Sequence, residues 1–144
     1  MEVKIKKLRE QAVVPARASL QAAGADLYAA LDGPETIYPG ETLLVPLGFA
    51  TEFETGFVGL IYARSGLATK KGLAPANKVG VIDADYRGEW MVALHNHSQN
   101  PQVVNANERV AQVVFQKVEL VKFIEVDELE DTQRGDGGFG STGQ

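Results

Sequence analysis

The amino-acid sequence predicts an all-β fold, either a sandwich or a barrel, on three observations. Apolar residues alternate with other residues in several short runs, which is the period of a strand with one buried face. Turn-forming clusters such as Asp32-Gly33-Pro34 and Pro39-Gly40-Glu41 separate these runs. Only one short segment has helical character. The chain has 144 residues, 44% of them hydrophobic, which suits a single domain with its own core.

The strand-like runs follow one another from the first residues to beyond residue 110. Four of them alternate most clearly: Val3 and Ile5, then Leu43, Val45, Leu47 and Phe49, then Trp90, Val92 and Leu94, then Val110, Gln112 and Val114. The triplet Val113-Val114-Phe115 is too apolar for a strand edge that faces water. We therefore expect the chain to associate with copies of itself.

One short helix is predicted from Ser65 to Lys71, with Leu67 inside it and Gly72 as its stop. Arg64 and Ser65 stand at its start, where free backbone N–H groups attract anions. The residues alone leave two interpretations open, a phosphate-binding segment or ordinary capping of the helix by Ser65.

Residues 77–90 place acidic side chains between two apolar runs, a layout typical of a β-hairpin whose turn presents Asp83, Asp85 and Tyr86. An ordinary turn is the alternative, because aspartate is frequent in turns. Asp83 directly follows an apolar pair, an awkward place for a carboxylate without a partner or a chemical role. Asp85 and Arg87 are a candidate ion pair.

The last residues, 133–144, are rich in glycine and carry one arginine and one aromatic ring. They bury too little apolar surface to fold alone, so we expect a mobile tail after a domain of residues 1–132. An arginine suits a phosphate and a ring suits the face of a base. The tail is therefore interpreted as a lid for a nucleotide, with a frayed linker or a cell-adhesion Arg-Gly-Asp signal as alternatives.

Composition excludes several classes of protein. A net charge of −5 and a pI near 5.0 argue against binding of duplex nucleic acid, which needs a basic face. No apolar run is long enough for a membrane span or a secretion signal, so we expect a soluble protein of the cytoplasm. The absence of cysteine excludes disulfides and thiolate zinc sites. His95 and His97 share a strand face, for which packing or solvation is favoured over metal binding.

Five segments occur in the order typical of one enzyme family. They are AGADLY at 23–28, ARSGLA at 63–68, NKVGVIDADYRGEW at 77–90, ERVAQVVF at 108–115 and RGDGGFGSTG at 134–143. Across nearly its whole length the chain thus resembles the trimeric dUTPases. The resemblance implies a distorted jelly-roll β-barrel with one short helix and a flexible Gly-rich tail. It also implies a homotrimer with shared active sites and Mg²⁺-assisted hydrolysis of dUTP to dUMP and pyrophosphate, which keeps uracil out of DNA.

The same resemblance implies residue roles. Asp83 matches the general base that activates water, and Arg64, Ser65 and Gly66 match the phosphate-binding segment from a neighbouring chain. Arg134 matches the tail arginine that binds the γ-phosphate. The residues implied in substrate and metal binding are Asn77, Gly80, Val81 and Ile82 for uracil, Tyr86 for deoxyribose, Gln112 for the α-phosphate, Phe139 with Gly140 and Ser141 in the closing tail, and Asp26 for Mg²⁺ through water.

One position departs from the family pattern. The fourth segment more often has Gly-Asp before its arginine, and here Asn107 and Glu108 precede Arg109. The carboxylate is kept but is one methylene longer, so a different ion pair is expected there. Two other activities remain as alternatives on this fold: a dCTP deaminase, and a nucleotide-binding trimer without catalysis.

Overall fold

The structure, a computed structural model, describes residues 1–138 and consists mostly of short antiparallel strands. One helix, α1, spans Ser65–Lys71. The strands are β1 Lys4–Lys7, β2 Ala25–Tyr28, β3 Glu35–Ile37, β4 Thr42–Pro46, β5 Phe49–Glu52, β6 Phe57–Tyr62, β7 Leu73–Pro75, β8 Gly80–Ile82, β9 Met91–Asn96, β10 Gln102–Val104 and β11 Arg109–Lys117. The predicted all-β class with one short helix is confirmed.

The strands form four sheets. Their orders are β2-β11-β6-β8, β4-β9-β7, β1-β5 and β10-β3. Within residues 1–138 these sheets do not close into a barrel, because the outer strands of each sheet are not paired with each other. The apolar strand β11 lies between β2 and β6, but of residues 113–115 only Val113 pairs with both neighbours, whereas Val114 and Phe115 pair with β6 alone. The expected self-association at this edge stays a prediction.

A single hydrophobic core takes side chains from all four sheets. Trp90 is its largest fully buried side chain, and its ring centroid lies 5.4 Å from that of Phe49 and 6.3 Å from that of Phe115. Asn96 is also fully buried; its amide nitrogen donates to the carbonyls of Ile37 and Asn100, each at 2.8 Å.

The helix has the bounds that its sequence predicts. Gly72 ends it in the left-handed region with φ of 66°, where glycine carries no steric cost. The residue at the N-cap is Arg64, and no side chain caps the helix. Capping by Ser65 was therefore the wrong interpretation, and the exposed Ser65 hydroxyl remains available for other contacts.

Two local expectations about the strands are wrong. Val110, Gln112 and Val114 do not share the inner face, because a register shift between Arg109 and Ala111 interrupts the alternation. As a result Val110 and Ala111 are both fully buried. Residues 77–90 do not form a hairpin either, since β8 pairs with β6 whereas β9 pairs with β4 and β7.

Regular structure ends at Lys117. Residues 118–132 contain no strand or helix and carry several exposed apolar side chains, among them Phe123 and Leu129. The expected boundary between domain and tail at residue 132 stays a prediction. In the part of the chain that is described, no helix has the length and hydropathy needed to cross a membrane.

Gly48 offers a test of the packing. Its φ is +77°, and a Cβ there would lie 2.8 Å from the Cβ of Ala12 and 2.9 Å from that of Ala30. We expect Gly48→Ala to lower the free energy of unfolding by the left-handed penalty of about 1–2 kcal/mol and by a further ~1–3 kcal/mol of overpacking.

Gly56→Ala is the matched control, since its φ is +87° but nothing lies within 4 Å of its added Cβ. It should show only the left-handed penalty in the same urea or thermal unfolding measurement. Equal losses for the two variants would contradict the tight packing around Gly48.

Candidate active site

One sheet positions most of the predicted site residues. Asp26 of β2 stands opposite Gln112 of β11, and Gln112 stands opposite Tyr62 at the end of β6. The chain continues from Tyr62 to Arg64 and the start of α1. On the other side of β6, Gly80, Val81 and Ile82 form β8, whose continuation is Asp83.

A cationic cluster lies at the end of β6. Arg64 Nε donates to Asp26 Oδ1 at 2.8 Å, and Arg109 Nη1 donates to Asp26 Oδ2 at 3.2 Å. Both carboxylate oxygens of Asp26 are thus engaged, and its side chain is only 14% exposed. Two arginines that share one carboxylate leave a net positive charge facing the adjacent cavity, which suits a polyanion.

That cavity has a volume of about 350 Å³. The residues lining it include Asp26, Arg64, Ser65, Gly66, Arg109 and Gln112. Gln112 Nε2 donates to the carbonyl of Ala63 at 2.9 Å, and the side chain lies so close to Gly24 that a Cβ there would force it to move. Arg109 was not predicted from the sequence to be a site residue. The feature that could have indicated it is its position directly after Glu108 in the fourth segment.

The unusual pair Asn107 and Glu108 forms the turn before Arg109. Asn107 has φ of 59°, a conformation that asparagine tolerates better than most other residues besides glycine. Glu108 forms an ion pair with Lys71 of α1 at 2.6 Å and accepts the backbone N–H of Asn105 at 2.9 Å. Burial opposes its ionisation, but these bonds outweigh that effect and lower the pKa of Glu108. The longer carboxylate thus ties the turn to the helix.

A second cavity, of about 330 Å³, lies beside β8. Its lining consists of Val81, Ile82, Asp83, Tyr86, Glu89 and Met91. Asp83 is exposed, and among residues 1–138 its carboxylate has no hydrogen-bond or ion-pair partner. A carboxylate without such partners can accept a proton from water.

The loop from residue 83 to 90 is held by its own hydrogen bonds. Tyr86 N–H donates to the carbonyl of Asp83 at 3.1 Å, and the Tyr86 hydroxyl donates to the carbonyl of Glu89 at 3.1 Å. Arg87 Nη1 donates to the carbonyl of Ala84 at 2.7 Å. The expected ion pair of Asp85 with Arg87 is not among those found in residues 1–138.

Asn77 belongs to this second region. Its amide nitrogen lies near Gly80, at 3.6 Å from the position of a Cβ on that glycine, and the intervening Lys78 has φ of 66°. β8 is an edge strand, paired only with β6 in the described part of the chain. Its outer backbone N–H and C=O groups can therefore bond a flat polar ligand.

The two regions lie at opposite ends of β6 within one chain. Ile82 stands opposite Gly59, and Arg64 follows Gly59 by five residues in the direction away from Asp83. Asp83 lies one position further on, so six positions at about 3.3 Å each, roughly 20 Å along the strand direction, separate Asp83 from Arg64. One copy of the chain does not bring its carboxylate and its cationic cluster together.

No cage for a metal ion is present among residues 1–138, where no three His, Cys, Asp or Glu side chains cluster. Asp26 is the one predicted ligand, and both of its oxygens accept from arginines. Mg²⁺ is commonly held by substrate phosphates, waters and one or two carboxylates, so this donor set fits only an outer, water-mediated role for Asp26.

His95 and His97 contact each other with ring centroids 4.4 Å apart, and His95 Nδ1 bonds the Thr42 hydroxyl at 2.8 Å.

The tail is described only in part. Arg134 Nε donates to the carbonyl of Gly137 at 2.8 Å, so the arginine is bound to its own segment here. The predicted contacts of Phe139, Gly140 and Ser141 lie outside the described residues.

Comparisons with known proteins agree on one family. The family model described as dUTPase matches residues 10–143. The chain is 48% identical over 144 residues to the deoxyuridine 5'-triphosphate nucleotidohydrolase of Nautilia profundicola, covering 100% of both chains. It is 49% identical over 146 residues to the protein of that name in Desulfitobacterium hafniense, covering 99% of this chain and 97% of the other. The solved dUTPase of Staphylococcus bacteriophage 80alpha with dUpNHpp is 26% identical, with a TM-score of 0.89 over 99% of each chain.

The Glu108 ion pair predicts a dependence of stability on pH. Because the pKa of Glu108 in the folded chain lies below the ordinary 4.5, Glu108 takes up its proton at a higher pH in the unfolded chain than in the folded chain. The stabilisation is therefore complete above that value and is lost as the pH drops through the folded pKa. We expect the melting temperature of Glu108→Gln to fall less steeply between about pH 5 and pH 3 than that of the unsubstituted chain. Parallel curves would contradict the assignment.

Proposed function

The chain belongs to the dUTPase family, and on that premise we propose that it hydrolyses dUTP to dUMP and pyrophosphate through attack of water on the α-phosphorus. The observation that carries the proposal is Asp83, an exposed carboxylate without a partner among residues 1–138, at a cavity that also contains the ring of Tyr86. In this mechanism Asp83 takes the proton of the attacking water as the new P–O bond forms.

The charge of the leaving pyrophosphate is met by cations of the chain. Arg64 and Arg109 face one cavity with a net positive charge after pairing with Asp26, and we assign to that cavity the phosphates of the substrate. Ser65 and Gly66 at the start of α1 are exposed and suit close approach of phosphate oxygens. When bound, Mg²⁺ would supply further stabilisation of the developing charge, with Asp26 reaching it through water. Arg134 would add a cation from the tail.

We assign binding of the uracil ring to the edge of β8. Uracil offers an O4 acceptor and an N3 donor, whereas cytosine reverses both, so a strand edge that pairs with one leaves unpaired groups against the other. A mismatch of that type discriminates by about 10⁴–10⁵. Asn77 lies close enough to Gly80 to take part in this recognition. The ring of Tyr86 would lie against the deoxyribose and exclude a 2′-hydroxyl.

The separation of Asp83 from Arg64 supports a site shared between chains. A homotrimer in which each site takes Asp83 and Tyr86 from one copy and Arg64 from a second satisfies this distance. The tail with Arg134 would come from a copy other than the one that supplies Asp83. The exposed apolar residues of the 118–132 segment are consistent with contact to another copy.

Two assays separate this proposal from its alternatives. A dCTP deaminase would convert dCTP to dUTP with release of ammonia, and a binding trimer without catalysis would bind a dUTP analogue and release no pyrophosphate. We expect release of pyrophosphate from dUTP and no ammonia from dCTP.

Asp83→Asn tests the general base. It removes the proton acceptor but keeps the size of the side chain, so we expect unchanged binding of a non-hydrolysable dUTP analogue and a kcat lower by about 10²–10⁴. Binding by titration calorimetry and single-turnover kinetics provide the two measurements. An unchanged kcat would remove Asp83 from the mechanism.

Mixed trimers test which chain supplies the tail. Asp83→Ala chains and chains truncated after Thr132 are each expected to be inactive, and co-refolding them in equal amounts leaves a site with an intact Asp83 and an intact tail in about one quarter of cases. Activity should therefore recover to about a quarter of the unsubstituted level. If the tail closed over its own copy, every site would lack one element and no activity would return despite proven mixed trimers.

A further inference from the structure

An ion pair joins the N-terminal segment to the loop that carries Asp83 and Tyr86. Arg9 Nε donates to Glu89 Oε1 at 2.6 Å, and Arg9 Nη2 donates to Glu89 Oε2 at 3.1 Å. The side chain of Glu89 is 18% exposed and that of Arg9 is 38% exposed. A two-pronged contact of this kind fixes orientation as well as distance.

The backbone of Gly48 holds both partners of this ion pair. Its N–H donates to Glu89 Oε1 at 3.1 Å, and its carbonyl accepts the N–H of Leu8 at 2.7 Å and of Arg9 at 3.2 Å. Gly48 is itself confined by the methyl groups of Ala12 and Ala30, as described above. The two peptide units that meet at the Gly48 Cα therefore hold the carboxylate on one side and the backbone of the Arg9 segment on the other.

Glu89 in turn holds the ring of Tyr86. Its carbonyl accepts the Tyr86 hydroxyl, and the ring lies so close to Gly88 that a Cβ added there would displace it. The backbone N–H of Tyr86 donates a hydrogen bond to the carbonyl of Asp83, which fixes the two residues relative to each other. A continuous series of contacts thus leads from Arg9 through Glu89 to the aromatic ring and the general base.

We infer that Arg9 and Glu89 are positioning residues, which hold the ring of Tyr86 where it excludes a 2′-hydroxyl and neutralise a carboxylate that lines the same cavity as Asp83. The inference rests on the proposed function. Without Arg9, Glu89 would be a second unpaired negative charge near a bound triphosphate, and it would repel the substrate. Removal of the guanidinium therefore affects both sugar selectivity and substrate affinity.

Arg9→Met tests the inference, because methionine keeps an apolar stem and removes the charge and both donors. We expect the ratio of kcat/KM for UTP to that for dUTP to rise by about 10- to 100-fold, the size of effect that a displacement of about 1 Å can cause. The KM for dUTP should rise as well. Arg9→Lys, which keeps the charge but not the fork, should give a smaller rise in the UTP ratio and nearly restore the KM.

Lys4→Met is the matched control. Lys4 lies in the same N-terminal segment and forms an ion pair with Glu52, but it makes no hydrogen bond to the loop of residues 83–90. It should leave the ratio unchanged. Hydrogen–deuterium exchange of residues 83–90 should accelerate in Arg9→Met and not in Lys4→Met.

The outcomes separate the inference from the function on which it rests. An unsubstituted chain that releases no pyrophosphate from dUTP would overturn both. If that chain is active and Arg9→Met loses melting temperature or kcat with an unchanged UTP ratio, the pair has only a structural role and the inference alone fails. If Arg9→Met does not fold, the UTP ratio of Arg9→Lys decides, and a ratio equal to that of the unsubstituted chain overturns the inference.

Discussion

The arrangement of the site depends on the pairing of β11 with two neighbours at once. Because β2 and β6 flank this strand, Gln112 lies between Asp26 and Tyr62, and Arg64 leaves the sheet beside the same row. The register shift between Arg109 and Ala111 then lets the Arg109 guanidinium reach Asp26 while Val110 stays in the core. A shift of β11 by one residue would exchange the buried and exposed faces of this strand and would separate Arg109 from Asp26.

Local signals made the helix and the strands predictable from sequence. Gly72 marks the helix end because a left-handed residue is needed there, and period-two alternation marks strands wherever one face is buried. The hairpin at residues 77–90 was mispredicted because closeness in sequence favours pairing, whereas β8 takes its partner from β6. The partner of a strand depends on how the whole sheet packs, and the pattern of a single sequence contains little information about that packing.

The residues of the candidate site could be selected from the sequence because they fall in short characteristic segments, and their roles stay predictions. The ionic contacts could not be predicted, because Arg109 meets Asp26 across 83 residues and Arg9 meets Glu89 across 80. Such contacts exist only once strand registers are set. They also explain how a chain of net charge −5 can present a cavity suited to a polyanion: the positive charge is local, because two arginines share the single carboxylate of Asp26.

The edge position of β8 has a cost. The outer backbone groups of β8, which pair with no other strand in residues 1–138, can accept a strand from another molecule, and the exposed Val81 adds apolar surface at that point. A longer edge would make the protein prone to fibrous aggregation. With three residues, β8 is too short to template a cross-β ladder. If this edge binds the base as proposed, ligand binding requires the edge to stay open, whereas resistance to aggregation requires it to stay short.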